Sequence, residues 1–177
     1  LDTETTGLGD DAEVVELAVT DCAGTVLLDT LVRPSGPVPG EAAAIHGITD
    51  AMLVAAPTWP EIHDRFCRLI DGRQVVIYSR DFDSRLIGQT ARRYGLQTPQ
   101  CFALPLDDDL VHCAMQAYAE FYGEWAEEKG RYRWQKLSTA AQQQGVTVEN
   151  AHRALGDCWM TLGVIRAMSC NKNTNGV

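Results

Sequence analysis

Two acidic residues lie two positions apart at the start of this chain, in the segment Leu1-Asp2-Thr3-Glu4-Thr5-Thr6-Gly7. On a β-strand this spacing directs the side chains of Asp2 and Glu4 to the same face of the sheet. Two neighbouring carboxylates repel each other unless a cation lies between them. The segment therefore predicts half of a divalent-metal site at the end of a strand, with two solvated acids as the alternative.

Four further ionisable residues stand where chemistry is common. Asp83 comes five residues after the apolar run Val75–Tyr78, and ligands in α/β sheets collect at the carboxyl ends of strands. Asp81 fits the same position, and periodicity does not distinguish it from Asp83. His152 and Asp157 lie at the start of the last predicted helix. Taken separately, each acid is better explained by its favourable interaction with a helix dipole, and the histidine by an exposed position.

Composition and charge limit the class of protein. The chain has 177 residues, 45% hydrophobic and 22% charged, which is ordinary for a globular domain with a sizeable core. No apolar run reaches the roughly 18 residues that span a bilayer, so we expect no membrane partner. The net charge of −9 argues against a general phosphate-binding surface. It still allows nucleic acid to bind where metal ions and a local basic patch meet the backbone.

The cysteines favour a reducing compartment. Six of them are scattered along the chain with no C-x-x-C pair. This pattern suits buried free thiols better than a disulfide framework or a zinc site. We therefore expect a cytoplasmic protein.

Hydrophobic periodicity predicts the elements that must position the acids. Two strands at 13–19 and 26–32, linked near Gly24, predict an antiparallel hairpin, and the run Val75–Tyr78 predicts a buried strand with a parallel partner. A turn-rich loop is predicted over 34–40. Helical spacing then predicts a helix that begins after an N-cap at Thr49 and ends at Asp71-Gly72, and further helices over 82–94, 111–121, 137–144 and 150–168.

This order of elements indicates an α/β fold with a mixed sheet flanked by helices. We expect one domain over residues 1–170 and a disordered tail over 171–177. Only Leu1 precedes Asp2, so we expect either residues upstream of this sequence or a frayed end to the first strand.

Taken together, the separated motifs resemble the DEDDh 3′→5′ exonuclease family, of which the proofreading subunit of bacterial DNA polymerase III and ribonuclease T are members. The resemblance covers nearly the whole chain. It rests on Leu1-Asp2-Thr3-Glu4-Thr5-Thr6-Gly7-Leu8, Ile45-His46-Gly47-Ile48-Thr49, Phe82-Asp83 and His152-Arg153-Ala154-Leu155-Gly156-Asp157. The family has a ribonuclease-H-like fold, with antiparallel first strands and parallel later strands, which agrees with the predicted order of elements.

The resemblance also implies roles for residues of this chain. The four acids that would bind two Mg²⁺ or Mn²⁺ ions are Asp2, Glu4, Asp83 and Asp157. His152 would be the general base that takes a proton from the attacking water. The residues that would hold the terminal nucleotide are Thr5, Thr6, Gly7, Leu8, Ile45, His46 and Phe82, with Leu8 wedged against the last bases. Ser79 stands where the family often has another polar residue and is expected to hydrogen-bond to substrate.

The residue types suit this chemistry. Phosphodiester hydrolysis needs a strong nucleophile and stabilisation of negative charge, which two divalent ions supply together. Hard cations prefer carboxylate oxygens to thiolates. Imidazole titrates near neutral pH, as a general base must.

A segment rich in aromatic and basic residues is longer than a minimal member of the family requires. Its members are Tyr118, Phe121, Tyr122, Trp125, Lys129, Arg131, Tyr132, Arg133, Trp134 and Lys136. Bases stack on aromatic rings while cations meet phosphates, so a platform for single-stranded nucleic acid is one interpretation of this segment. The favoured interpretation is that the aromatic residues before Gly123 belong to the core and the cations form a solvated face.

The expected function is 3′→5′ exonucleolytic cleavage of single-stranded or frayed nucleic acid, with DNA favoured and nucleoside monophosphates released. The resemblance allows a DNA polymerase or repair complex as a partner. The alternatives are an exoribonuclease, a catalytically silent binding module on the same fold, and a metal-dependent phosphatase that acts on small molecules.

Overall fold

The computed structural model describes residues 1–102, 109–147 and 151–172. The strands are β1 (Asp2–Thr5), β2 (Val14–Thr20), β3 (Val26–Leu31), β4 (Val75–Ile77), β5 (Val111–Cys113), β6 (Trp125–Ala126) and β7 (Arg131–Tyr132). The helices are α1 (Gly40–His46), α2 (Asp50–Leu53), α3 (Trp59–Ile70), α4 (Arg80–Arg93), α5 (Ala114–Tyr122), α6 (Leu137–Gln143) and α7 (Ala154–Lys172).

The strands form an antiparallel meander beside a parallel pair. β1, β2 and β3 pair antiparallel in that order, and β4 pairs parallel with β5. The Leu1 nitrogen donates to the Val76 carbonyl (2.9 Å), which places the parallel pair at the free edge of β1. The mixed sheet, the hairpin of β2 and β3, and the parallel pairing of β4 are therefore confirmed.

Helices cover both faces of the central strand β2, which explains why its sequence is apolar on both sides. Leu17 packs with Trp59 and Phe66 of α3 in the main core. Ala18, on the opposite face, packs against Cys158 of α7. Burial of both faces is expected for a strand in a layered α/β fold. Asp2 and Glu4 pair with Ala18 and Glu16, so the β1 acids lie on the α7 side of the sheet.

Four predicted boundaries are corrected by the structure. The helix predicted from Val111 begins at Ala114, because residues 111–113 form β5 and tertiary pairing with β4 overrides the helical spacing. The last helix begins at Ala154 rather than near Asn150, and residues 148–150 lie outside the described residues. Asn171 and Lys172 belong to this helix rather than to the predicted tail, of which residues 173–177 are not described. The predicted loop gives way to α1 from Gly40, where the run Ala42–Ala44 has high helix propensity.

The predicted long helix after Thr49 is two helices, α2 and α3. Thr49 occupies the N-cap position of α2, but its side chain makes no capping hydrogen bond. The cap that forms is a capping box of Thr58 and Glu61 at the start of α3. A Thr-x-x-Glu sequence is the signal for such a box.

No helix within the described ranges is both long enough and apolar enough to cross a membrane. All six cysteines are free thiols, as their scattered positions predict.

Candidate active site

Carboxylates from β1 and α7 meet on one side of the sheet. The alternation of β1 directs Asp2 and Glu4 towards α7, and Asp157 lies in the first turn of that helix. One ligand atom from each of these three residues lies within 4.8 Å of the other two. The structure thus brings together two acids adjacent in sequence and a third more than 150 residues away.

The surroundings of these carboxylates oppose their negative charge. Burial, followed by repulsion from Asp83, Asp157 and Glu4, raises the pKa of Asp2 well above its usual range. Burial and repulsion from Asp157 raise the pKa of Glu4 to about 8. Burial also raises the pKa of Asp157. A cluster that resists its own ionisation in this way is a strong site for a divalent cation, because a cation removes the repulsion.

Asp83 lies beside this group but is held separately. Thr3 donates to Oδ1 of Asp83 through its backbone nitrogen (3.1 Å) and its hydroxyl (2.7 Å). The side chain is buried, and burial raises its pKa to about 6. Its charge raises the pKa of Asp2, so the two carboxylates are close enough to interact. Both hydrogen bonds occupy Oδ1, which leaves Oδ2 as the oxygen that a metal would use.

The structure distinguishes Asp83 from Asp81 as the candidate metal ligand, which the sequence alone does not. Asp81 is exposed, and its Oδ1 pairs with Nε of Arg80 at 3.0 Å. Asp83 is turned into the protein against β1. Of the two, only Asp83 is directed towards the acidic cluster.

His152 lies in the turn that precedes α7. Its backbone has φ of +62°, in the left-handed region that residues other than glycine rarely adopt. Its backbone nitrogen donates to Oδ1 of Asp157 (3.3 Å), and its side chain is exposed. The turn therefore holds an accessible imidazole next to the carboxylate cluster.

An ion pair that the sequence analysis missed fixes this turn to the sheet. Glu16 is buried at the position of β2 that pairs with Glu4, and its carboxylate accepts hydrogen bonds from Nε (3.1 Å) and Nη2 of Arg153. It also accepts a hydrogen bond from the backbone nitrogen of Ala154 (2.8 Å). Glu16 thus binds a free N–H at the start of α7. The available signal was an acid in the middle of the otherwise apolar run Val14–Val19, because a buried carboxylate requires a partner.

The residues expected to hold the terminal nucleotide differ in their exposure. Leu8 and Ile45 are 78% and 62% exposed, whereas His46 is buried. Nδ1 of His46 accepts a hydrogen bond from Ile48 (3.0 Å), and its Nε2 has no hydrogen-bond partner among the described residues. Burial lowers the pKa of His46, which favours the neutral ring.

The loop that carries Leu8 is held in place by α4. The Arg85 guanidinium lies over the ring of Phe82 (5.6 Å) and donates to the Leu8 carbonyl (3.1 Å). Gln89 donates to Gly9, and Arg93 donates to Asp11. These three α4 residues are four positions apart and so form one stripe. Arg85 and Arg93 therefore hold this loop in addition to lining a helix face.

The peptide before Leu8 is braced by its own threonines. The Thr5 hydroxyl donates to the Gly7 carbonyl (2.8 Å), and the Thr6 hydroxyl accepts from the backbone nitrogen of Glu13 (2.9 Å). Ser79 lies elsewhere: with His152 and Asp157, it lines a separate cleft.

The sequence of this chain is similar to those of known exonucleases. A family model described as exonuclease (RNase_T) matches residues 1–165. The chain is 53% identical to the uncharacterized exonuclease CP81 of Escherichia phage 186, over 96% of this chain and 86% of that protein. It is 33% identical to DNA polymerase III subunit epsilon of Treponema pallidum, over 94% of this chain and 74% of that protein.

Solved structures show the same fold. Exonuclease X, in complex with 5′ overhanging duplex DNA, superposes with a TM-score of 0.66 at 25% identity, covering 97% of this chain and 90% of that one. Exonuclease I of E. coli, in complex with a dA16 oligonucleotide, superposes with a TM-score of 0.77 at 18% identity. That match covers 98% of this chain and 40% of exonuclease I. Both are ribonuclease-H-like exonuclease folds.

Proposed function

Because this chain belongs to the exonuclease family whose model matches residues 1–165, we propose that it is a metal-dependent 3′→5′ exonuclease. It releases nucleoside 5′-monophosphates from single-stranded or frayed 3′ ends, with DNA as the favoured substrate. The observation that carries the proposal is the meeting of Asp2, Glu4 and Asp157 within 4.8 Å, next to the exposed His152.

The acidic cluster fits hard divalent cations. Its donors are carboxylate oxygens, which Mg²⁺ and Mn²⁺ prefer. Burial, and after it the mutual repulsion of the carboxylates, raises the pKa of Asp2 and of Glu4, and a bound cation would oppose both effects. Asp2, Glu4 and Asp157 would bind the ions together with Oδ2 of Asp83. Two such ions, when bound, activate a water and stabilise the charge that develops on the phosphate and the leaving oxygen.

His152 acts as the general base. Its imidazole accepts a proton from the water that attacks the terminal phosphodiester, which leaves the nucleotide as a 5′-monophosphate and the shortened strand with a 3′-hydroxyl. The hydrogen bond from the His152 backbone to Asp157 fixes the turn but leaves the ring free to move. The imidazole can therefore approach the water when substrate binds.

The exposed apolar side chains beside β1 hold the last nucleotide. Leu8 and Ile45 offer apolar surface to the terminal base and sugar. The Arg85 guanidinium donates to the Leu8 carbonyl and also lies over the Phe82 ring, so it connects this ring to the Leu8 loop. The Thr5-Thr6-Gly7 backbone approaches the sugar. His46, which is buried next to Thr5, backs this pocket from inside the protein, and Ser79 contacts the strand from the neighbouring cleft.

DNA is favoured as the substrate because the solved neighbours were captured with DNA. The relatedness to polymerase III epsilon subunits supports a DNA polymerase or repair complex as the partner in proofreading or repair. We further propose one exonuclease domain over residues 1–170, and the free thiols suit a cytoplasmic place of action.

The test is digestion of 5′-labelled oligonucleotides. We expect Mg²⁺ or Mn²⁺ to support stepwise shortening of 3′-tailed DNA, and we expect chelator or a blocked 3′ end to prevent it. Matched RNA strands decide the sugar preference. Binding of DNA without shortening, with either ion, would contradict the proposal and favour a silent binding module. Hydrolysis of mononucleotides alone would favour a phosphatase.

A further inference from the structure

A cleft of about 480 Å³ connects the acidic cluster with the aromatic and basic hairpin formed by β6 and β7. Asp157 and His152 line one end of it, and Trp134 and Lys136 line the other. We propose that this cleft binds the strand on the 5′ side of the scissile bond, with Trp134 as a stacking platform for a base and Lys136 as a contact for a phosphate. This inference rests on the proposed function, and it concerns residues to which that function gives no role.

The backbone on both sides of Trp134 is firmly held. Arg133 donates through its backbone nitrogen to the Glu124 carbonyl (2.8 Å), and its guanidinium pairs with the Glu124 carboxylate (3.1 Å). The Gln135 side chain donates to the same carboxylate (3.0 Å), and the Gln135 carbonyl accepts a hydrogen bond from the Tyr78 hydroxyl (2.9 Å). A rigid aromatic residue loses little conformational entropy when a base stacks on it.

The Trp134 ring is partly exposed although it lines the cleft, and Arg131 covers one of its two faces. The residue is 44% exposed, and the Arg131 guanidinium lies 3.7 Å from its ring centroid. The stack of Arg131 on Trp134 places a positive charge beside an aromatic face. Proteins that bind single-stranded nucleic acid combine these two groups, because a base has a π-face and the backbone has negative charge.

Local charge favours a negatively charged strand over a basic or apolar partner. The protein carries a net charge of −9, yet Lys136 and Arg131 stand at this end of the cleft. Arg133 already pairs with Glu124 and with Glu128. The floor includes Met115 and Met160, which suit the edges of bases.

The position of the cleft determines which part of the strand it binds. Leu8 and Gly7 line a different cavity, one that shares no lining residue with the Trp134 cleft. Asp157 belongs both to the acidic cluster and to the Trp134 cleft. A strand whose last nucleotide lies at Leu8 and whose scissile phosphate lies at the acids therefore leaves along the Trp134 cleft. Trp134 thus contacts the part of the strand that is retained after cleavage.

The first experiment compares substrates of different length. Trp134→Ala should raise KM for long single-stranded DNA by about 5- to 150-fold, the range expected for one lost base stack. It should leave hydrolysis of the p-nitrophenyl ester of thymidine 5′-monophosphate unchanged, because this ester has no upstream strand. Trp134→Phe should restore most of the affinity. Trp125→Ala is the matched control, since Trp125 is 48% exposed on the same hairpin and does not line the cleft.

The second experiment does not require turnover. An oligonucleotide with 2-aminopurine just upstream of a 3′-terminal phosphorothioate linkage should lose fluorescence on binding to the wild type and to Trp125→Ala, but not to Trp134→Ala. Lys136→Gln should reduce the salt dependence of binding by about one phosphate contact.

Several outcomes would overturn the proposal. One is an unchanged KM together with unchanged quenching in Trp134→Ala. Another is an equal loss in Trp134→Ala and Trp125→Ala, which would indicate a general effect on the hairpin. A change only in oligomeric state or in retention by a polymerase would assign the surface to protein binding. A wild type that quenches 2-aminopurine through Trp134 but cleaves neither substrate would contradict the proposed function and leave the strand platform standing.

Discussion

At the scale of single residues, burial distinguishes the acid that we propose as a metal ligand from its neighbour. Asp81 and Asp83 are two positions apart at the start of α4, and both would interact favourably with the helix dipole. One is exposed and paired with Arg80, whereas the other is buried and bonded to Thr3. Their different environments allow a matched comparison within one turn of helix.

Replacing Asp83 with Ala should therefore lower kcat by at least about 100-fold, since a metal ligand contributes several kcal/mol to the transition state. Asp81→Ala should stay close to the wild type, because its carboxylate is solvated. Steady-state kinetics on a 3′-tailed oligonucleotide, with circular dichroism to verify folding, measures both. Loss of activity in Asp81→Ala with retention in Asp83→Ala would show that the wrong carboxylate has been chosen.

His152 combines a strained backbone with an exposed side chain. His152→Ala and His152→Gly should both lose turnover while still binding Mn²⁺, because neither removes a carboxylate. The Gly variant should be more stable than the Ala variant by roughly 1 kcal/mol, since glycine adopts positive φ without steric cost. Urea unfolding and Mn²⁺ titration separate these effects. Loss of Mn²⁺ binding in both variants would contradict the role of His152 as a general base.

At the scale of elements, the position of α7 depends on a strand that is remote in sequence. Glu16 of β2 binds Arg153 and the first backbone N–H of α7, and Asp157 follows one turn later. The side chain of Glu16 is only 3% exposed, whereas that of Arg153 is 42% exposed. If one member of the pair is removed, water can therefore solvate the Arg153 guanidinium that remains but not the Glu16 carboxylate.

Arg153→Gln should cost more stability than Glu16→Gln, about 3 kcal/mol against about 1 kcal/mol, because only the first leaves a buried charge without its cation. The double variant should be more stable than the sum of the two losses predicts. Chemical denaturation of the three variants measures the coupling. Additive losses would mean that the pair does not hold α7 against the sheet.

At the scale of the whole molecule, the acidic cluster opposes folding until a cation binds. The pKa of Glu4 is raised from 4.5 to about 8 in the folded protein, so the folded state binds more protons than the unfolded state between these values. This contribution to stability is present below the unfolded pKa and is lost as pH rises through the folded pKa.

In chelator, the melting temperature should consequently fall as pH rises from about 6 to about 8. Added Mg²⁺ or Mn²⁺ should raise it more at the upper pH, because the cation binds the ionised carboxylates. Thermal scans at matched ionic strength test both expectations, with Asp2→Asn as a variant that should show a smaller metal effect. A metal effect that is equal at both pH values would place the binding site away from these acids.

The sequence alone determined the local features and the family. The alternation at Asp2 and Glu4, the apolar runs of β2 and β4, and the helical stripes of α3, α4 and α7 are periodic over a few residues, so they can be read without the fold. The order of the motifs then indicated a ribonuclease-H-like exonuclease, which the family match and the structural neighbours confirm.

Only the tertiary structure decided how these features meet. In the folded protein Asp83 is buried beside the acidic cluster whereas Asp81 is exposed, and residues 111–113 form a strand. Ser79 lines the Trp134 cleft, and Glu16 pairs with Arg153. Each depends on a pairing between segments that are far apart along the chain, such as the register that sets Glu4 opposite Glu16. Periodicity within one segment carries no information about that register, because the free energy of pairing comes from contacts with another segment.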